Sequence, residues 1–166
     1  TENDNLAIGY QAMTTNTAGG QFNTTIGNYS MDALTSGDNN TAVGHQALTA
    51  ATTAISNTAF GHTALAFTQT GGYNTAVGYE ALNQNLAAEN TAVGVYALKA
   101  NTTGTRNIAI GHASLDGQDT ENDNIAIGYN AMTVNNAGGT QNTAIGNYAG
   151  DAITSGDGNI GIGYNA

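Results

Sequence analysis

Asn40-Thr-Ala-Val-Gly-His-Gln-Ala-Leu48 is the stretch that decides the fold, because it recurs along the whole chain. Its leading residue reappears as Asn5, Asn23, Asn40, Asn57, Asn74, Asn90, Asn107, Asn124, Asn142 and Asn159. The nine intervals are 18, 17, 17, 17, 16, 17, 17, 18 and 17 residues, so ten copies repeat with a period near 17. The nine-residue motif keeps its length, and only the connections of 7 to 9 residues vary. A constant core with elastic connections is the signature of stacked structural units. A longer period lies above this one. Residues 1–47 match residues 120–166 at 31 of 47 positions, an offset of 119, or seven times 17. The 166 residues therefore read as a single solenoid region: a seven-rung block (1–119) followed by the start of a near-copy (120–166). Such a region is expected to be an excerpt of a longer fibre, or a unit that stacks end to end.

If the copies stack, each motif position becomes a column. The second position is Thr, Ile or Leu, the third almost always Ala, the fourth Ile, Val or Phe, and the fifth Gly in all ten copies. Alternation with period two places positions two and four on one face of a strand and position three on the other. The β-branched positions are expected to face inward. That leaves Ala42, Ala59, Ala76, Ala92, Ala109 and Ala126 as a flat outer strip for a neighbouring subunit to cover. The glycines Gly44, Gly61, Gly78, Gly94, Gly111 and Gly128 are expected to turn the chain at a corner, by positive φ or close chain approach. Asn40, Asn57, Asn74, Asn90, Asn107 and Asn124 suit either a stacked amide ladder or a left-handed turn. A second strand around the Ala-Leu pair and a polar return loop complete the rung. Repeated Gly, Asn and Thr, with no adequate 3.6-residue stripe, disfavour a helix. The expected class is all-β: a parallel β-solenoid about 48 Å long at roughly 4.8 Å per rung.

Composition limits the function. Leu, Ile, Val and Phe sum to only 27 of 166 residues, a level usual for disorder at this net charge. The periodicity overrules that reading, since a thin roll can be filled by Ala, Thr and backbone. Twelve acidic side chains against two basic ones give a formal charge of −10, so nucleic acid is excluded as a partner for want of a basic footprint. There is no cysteine, and no apolar run approaches the ~18 residues that membrane insertion of this segment would need. Neither a Gly-x-Ser-x-Gly elbow, a phosphate-cradling loop nor a His-Glu-x-x-His pair occurs, and the chain reads as non-enzymatic and without a cofactor. His45, His62 and His112 follow the corner glycine in a column shared with Tyr10, Tyr79, Tyr129 and Tyr164. A metal between His45 and His62 on adjacent rungs is conceivable, although so mixed a column reads first as tolerant surface. Asp116, Asp119, Glu121 and Asp123 are weak calcium candidates by content, and a solvated acidic loop is the simpler account. The Thr column raises ice binding. Its interruption by Leu6, Ile108, Ile125 and Ile160, and its assignment to the inner face, speak against it.

The segments Asn107–Gly111 and Asn124–Gly128, both Asn-Ile-Ala-Ile-Gly, resemble the Ser-Val-Ala-Ile-Gly repeat in head domains of trimeric autotransporter adhesins. Asn74–Leu82, Asn-Thr-Ala-Val-Gly-Tyr-Glu-Ala-Leu, is similar to repeats of bacterial and phage tail-fibre proteins, which often end in a self-cleaving chaperone domain. The period near 17 is longer than the adhesin-head repeat. The resemblance covers the whole chain and implies a left-handed parallel β-roll that associates as a homotrimer. It also implies a structural and adhesive role in an extracellular, cell-surface or virion fibre, with a host or cell-surface receptor as outside partner. The variable connections 49–56, 66–73, 83–89 and 99–106 are the expected contact surfaces. A monomeric ice-binding or calcium-binding solenoid is the alternative.

Overall fold

A computed structural model describes residues 4–16, 18–117, 120–133 and 139–166. Every copy of the motif contributes one three-residue strand: β1 Leu6–Ile8, β2 Thr24–Ile26, β3 Thr41–Val43, β4 Thr58–Phe60, β5 Thr75–Val77, β6 Thr91–Val93, β7 Ile108–Ile110, β8 Ile125–Ile127, β9 Thr143–Ile145 and β10 Ile160–Ile162. They form one parallel sheet in sequence order. The register is fixed by the motif, so Thr41, Ala42 and Val43 lie beside Thr58, Ala59 and Phe60. The fold is a parallel β-solenoid with rungs of about 17 residues, as the spacing predicts.

The strands are short for two local reasons. At the start, the backbone N–H of each motif Asn is taken by the Asn side chain one rung away rather than by a carbonyl of the sheet. At the end, the corner glycine turns the chain. All ten adopt φ between 134° and 145°, a region closed to residues with a Cβ.

Beyond the corner the expected second strand does not form. Positions seven and nine are left-handed instead, as at Gln46 (φ 56°) and Leu48 (φ 52°) or Glu80 (φ 53°) and Leu82 (φ 49°). The backbone still bonds to both neighbouring rungs. The Gln46 N–H donates to the Asn28 carbonyl (3.0 Å) and the Leu48 N–H to the Ala64 carbonyl (3.0 Å). A left-handed conformation costs an ordinary residue about 1–2 kcal/mol. Here it brings Leu48, Leu65, Leu82, Leu98 and Leu115 wholly into the interior, and that burial offsets the cost at roughly 1.5–3 kcal/mol per side chain.

The inward face of the sheet is the opposite of the one expected. Ala42, Ala59, Ala76, Ala92, Ala109 and Ala126 are fully buried in their own chain, so they form no subunit interface. The Thr, Ile and Val of positions two and four face outward. Size decides the matter. A rung that closes in about 17 residues leaves a narrow interior, and Leu or Met at position nine already occupies it from the opposite wall. A methyl group at position three fits the remainder, whereas Val or Ile would overfill it. One rung carries a compensated exception. Thr25 replaces Ala at position three, Ser30 replaces Ala at position eight, and their buried hydroxyls hydrogen-bond to each other.

Candidate functional site

Three continuous features run the length of the roll. The first is internal. Each motif Asn accepts, at Oδ1, the backbone N–H of the next motif Asn, from Asn5 to Asn23 (2.8 Å) through to Asn142 and Asn159 (2.8 Å). The Nδ2 group reaches across the interior to a carbonyl of the return segment: Asn40 to Ala54 (2.7 Å), Asn57 to Gly71 (2.9 Å), Asn107 to Glu121 (2.8 Å). One amide therefore ties successive rungs together and clips each rung shut. Of the two structural readings open to these asparagines, the stacked amide ladder is the one adopted. The burial of the eight from Asn23 to Asn142 leaves those no contact with an outside ligand.

The second feature is a file of rings at the far side of the glycine corner. It runs Tyr10, Tyr29, His45, His62, Tyr79, Tyr96, His112, Tyr129, Tyr148, Tyr164, with centroids 5.2 to 5.9 Å apart. Where position six is Asn28, Val95 or Asn147, position seven supplies the ring as Tyr29, Tyr96 or Tyr148. Column six read alone misses this. The signal was present in the complementary filling of columns six and seven, which continues unbroken only when the two are read together. Offset-stacked and edge-to-face pairs of this kind each contribute about 0.5–1.5 kcal/mol.

The third is the outer face of the sheet. Thr41, Thr75 and Thr91 are half-buried there, beside an apolar column that includes Ile26, Phe60, Val93, Ile110 and Ile145, all exposed by more than a third. The return segments 49–56, 66–73, 83–89 and 99–106 are themselves bonded rung to rung, as by the Thr35 N–H to the Thr52 carbonyl (2.9 Å) and the Thr52 N–H to the Gln69 carbonyl (2.9 Å). Phe67, Tyr73 and Leu86 project from them into solvent.

Charged groups are few, and the basic ones are paired. Both basic side chains of the sequence are engaged by acids: Lys99 with Glu80 (2.7 Å), over the Tyr96 ring, and Arg106 with Asp123 through two bonds of 2.6 and 2.9 Å. The Arg106 guanidinium holds the Asp123 carboxyl below its usual range, whereas burial raises Asp116. Of the calcium candidates, Asp123 thus faces a cation already, Glu121 is buried and accepts from its neighbour Thr120 (3.0 Å), and Asp119 lies outside the described residues. Among the described residues, no three His, Cys, Asp or Glu side chains gather as a metal site. No helix of the described residues is long and apolar enough to cross a membrane.

The Glu80–Lys99 pair sets a small pH dependence. Hydrogen bonding to Lys99 lowers the Glu80 pKa, so the stabilisation is complete above the ordinary glutamate pKa and is lost as pH falls through the depressed one. Both groups are partly exposed, which limits the pair to under about 1 kcal/mol. Lys99→Met should therefore lower the urea midpoint slightly at pH 7, and its difference from the parent chain should shrink as acid protonates Glu80.

No known family model, curated protein or solved structure matches the chain.

Proposed function

We propose that this chain is a rigid, non-enzymatic segment of an extracellular, cell-surface or virion-borne fibre, self-associating as a homotrimer and touching its receptor through the edges of its return segments. The observation that supports the reading is the outer sheet face. Ten rungs at ~4.8 Å set position four into a flat stripe about 43 Å long, apolar in every one of the ten rungs. A contiguous apolar strip of that kind is covered by a partner more often than it is left in water, and a second copy offers the same strip in the same register. The acidic surplus, −10 over 166 residues, keeps such fibres apart once that strip is covered. Left-handedness and three-fold association come from the resemblance to adhesin heads and tail fibres.

Sedimentation equilibrium tests the reading. At tens of micromolar the chain should sediment at three times its monomer mass. Ile110→Asp combined with Val93→Asp, both on the outer face, should reduce it to a monomer that keeps its β-sheet circular dichroism. A monomeric parent chain rejects the proposal, as does a trimer indifferent to the two aspartates.

Ice binding is favoured by one specific observation: Thr24, Thr41, Thr58, Thr75, Thr91 and Thr143 lie on the outer side of the sheet, not the inner. The two readings compete for the same face. A monomer with thermal hysteresis, abolished when Thr41, Thr58 and Thr75 are replaced by tyrosine, establishes the second at the expense of the first.

A further inference from the structure

We propose that His45 and His62 form a two-imidazole site for a first-row transition-metal dication, with copper(II) bound most tightly. The parallel register places column-six side chains one rung apart, and these two are consecutive. Their rings stack 5.2 Å apart at an interplanar angle of 11°, and both residues are exposed. A metal held by two nitrogens at ~2.0 Å each needs those nitrogens no more than about 4 Å apart. Tipping two exposed rings toward each other supplies that approach, because a terminal sp³–sp² torsion such as χ2 of His is soft.

The hydrogen-bond network prepares one of the rings. The Thr63 hydroxyl donates its single proton to the His62 carbonyl (2.8 Å), while its oxygen lies 3.2 Å from His62 Nδ1. With the hydroxyl proton directed at that carbonyl, the neutral imidazole completes the contact by donating from Nδ1. His62 Nε2 is then the unprotonated nitrogen, with its lone pair free for a metal. A second partner on Nδ1–H is also what orients histidines that ligate metals and makes them more basic. Tyr79 stacks on the other face of His62 at 5.3 Å, in a chain whose formal charge of −10 favours a cation. Copper(II) heads the order of affinity of imidazole sites for divalent ions of this series.

The chain contains its own control. His112 stands in the same column between Tyr96 and Tyr129, with Ala113 rather than threonine after it and no histidine one rung away. It has neither the second ligand nor the orienting hydroxyl.

Calorimetric titration of the chain with copper(II), followed by electron paramagnetic resonance, tests the site. One ion per chain should bind, with a spectrum reporting two imidazole nitrogens. His45→Tyr or His62→Tyr should weaken binding at least tenfold, and His112→Tyr should not change it. Tyrosine is already the residue of this column at Tyr10, Tyr79 and Tyr129, and unchanged circular dichroism confirms that the roll persists. Absence of binding at millimolar copper(II), binding unaltered in His45→Tyr, or an equal loss in His112→Tyr overturns the proposal.

Discussion

Gly78→Ala is expected to break the solenoid in the middle, at a cost of about 3–5 kcal/mol from combined backbone strain and overpacking. Two effects act together at this corner. The backbone sits at φ 140°, where an L-residue with a Cβ is strained whatever space surrounds it. The added Cβ would also lie 2.6 Å from the carbonyl carbon of Gly94 on the next rung, and closer still to its oxygen. Neither atom can withdraw, because the Gly94 N–H is bonded to the Val77 carbonyl at 2.8 Å. In a stacked array each rung touches only its neighbours, so the damage divides the roll into two shorter blocks. Calorimetry should resolve two transitions where the parent chain has one. Gly158→Ala separates the two effects. Its φ of 66° carries ordinary left-handed strain, and nothing lies within 4 Å of the added atom. That variant should lose only about 1 kcal/mol and melt in a single step.

Asn57→Ala is the second large loss. Asn57 is 1% exposed. Its Oδ1 accepts the Asn74 N–H at 3.0 Å and its Nδ2 donates to the Gly71 carbonyl at 2.9 Å. Truncation orphans a buried donor and a buried acceptor at once. At about 1–3 kcal/mol for each group left unpaired, the urea midpoint should fall by the equivalent of roughly 2–6 kcal/mol. Asn57→Asp separates the accepting role from the donating one. It keeps an acceptor for Asn74 but directs a buried carboxylate at the Gly71 carbonyl. Burial raises the pKa of such a carboxyl in the folded state, so its penalty is largest at neutral pH. The penalty should shrink as acid supplies a proton that can be donated to Gly71. Asn159→Ala, at the exposed tenth rung, should cost under about 1 kcal/mol because water replaces what is lost.

Much of this was legible in the sequence. Invariant glycine at position five announced a corner that only glycine can take, and the ten strands lie where the motif puts them. The asparagine ladder was one of two readings open at position one, and its burial selects it. The aromatic file is half visible in the sequence: His45, His62, Tyr79 and their column mates share position six, whereas Tyr29, Tyr96 and Tyr148 sit one residue later. They join the file because the left-handed residue at position seven brings its side chain to the place that position six fills in the other rungs. The second strand expected around the Ala-Leu pair fails to form for the same reason. Leucine rarely adopts φ near 50°, and nothing local in Ala81-Leu82 reveals that it does so here.

The sequence by itself determined the rung, its register and the identity of every column, because a motif of unvarying length can stack in only one alignment. It did not determine which side of the strand is the interior. Alternation defines two faces symmetrically, and exchanging inside for outside leaves the pattern untouched. Ala42, Ala59 and Ala76 lie within, and Val43, Phe60 and Val77 without, because closing the rung brings Leu48, Leu65 and Leu82 up against the sheet. The volume left there is that of a methyl group, a quantity that exists only once the chain has closed on itself.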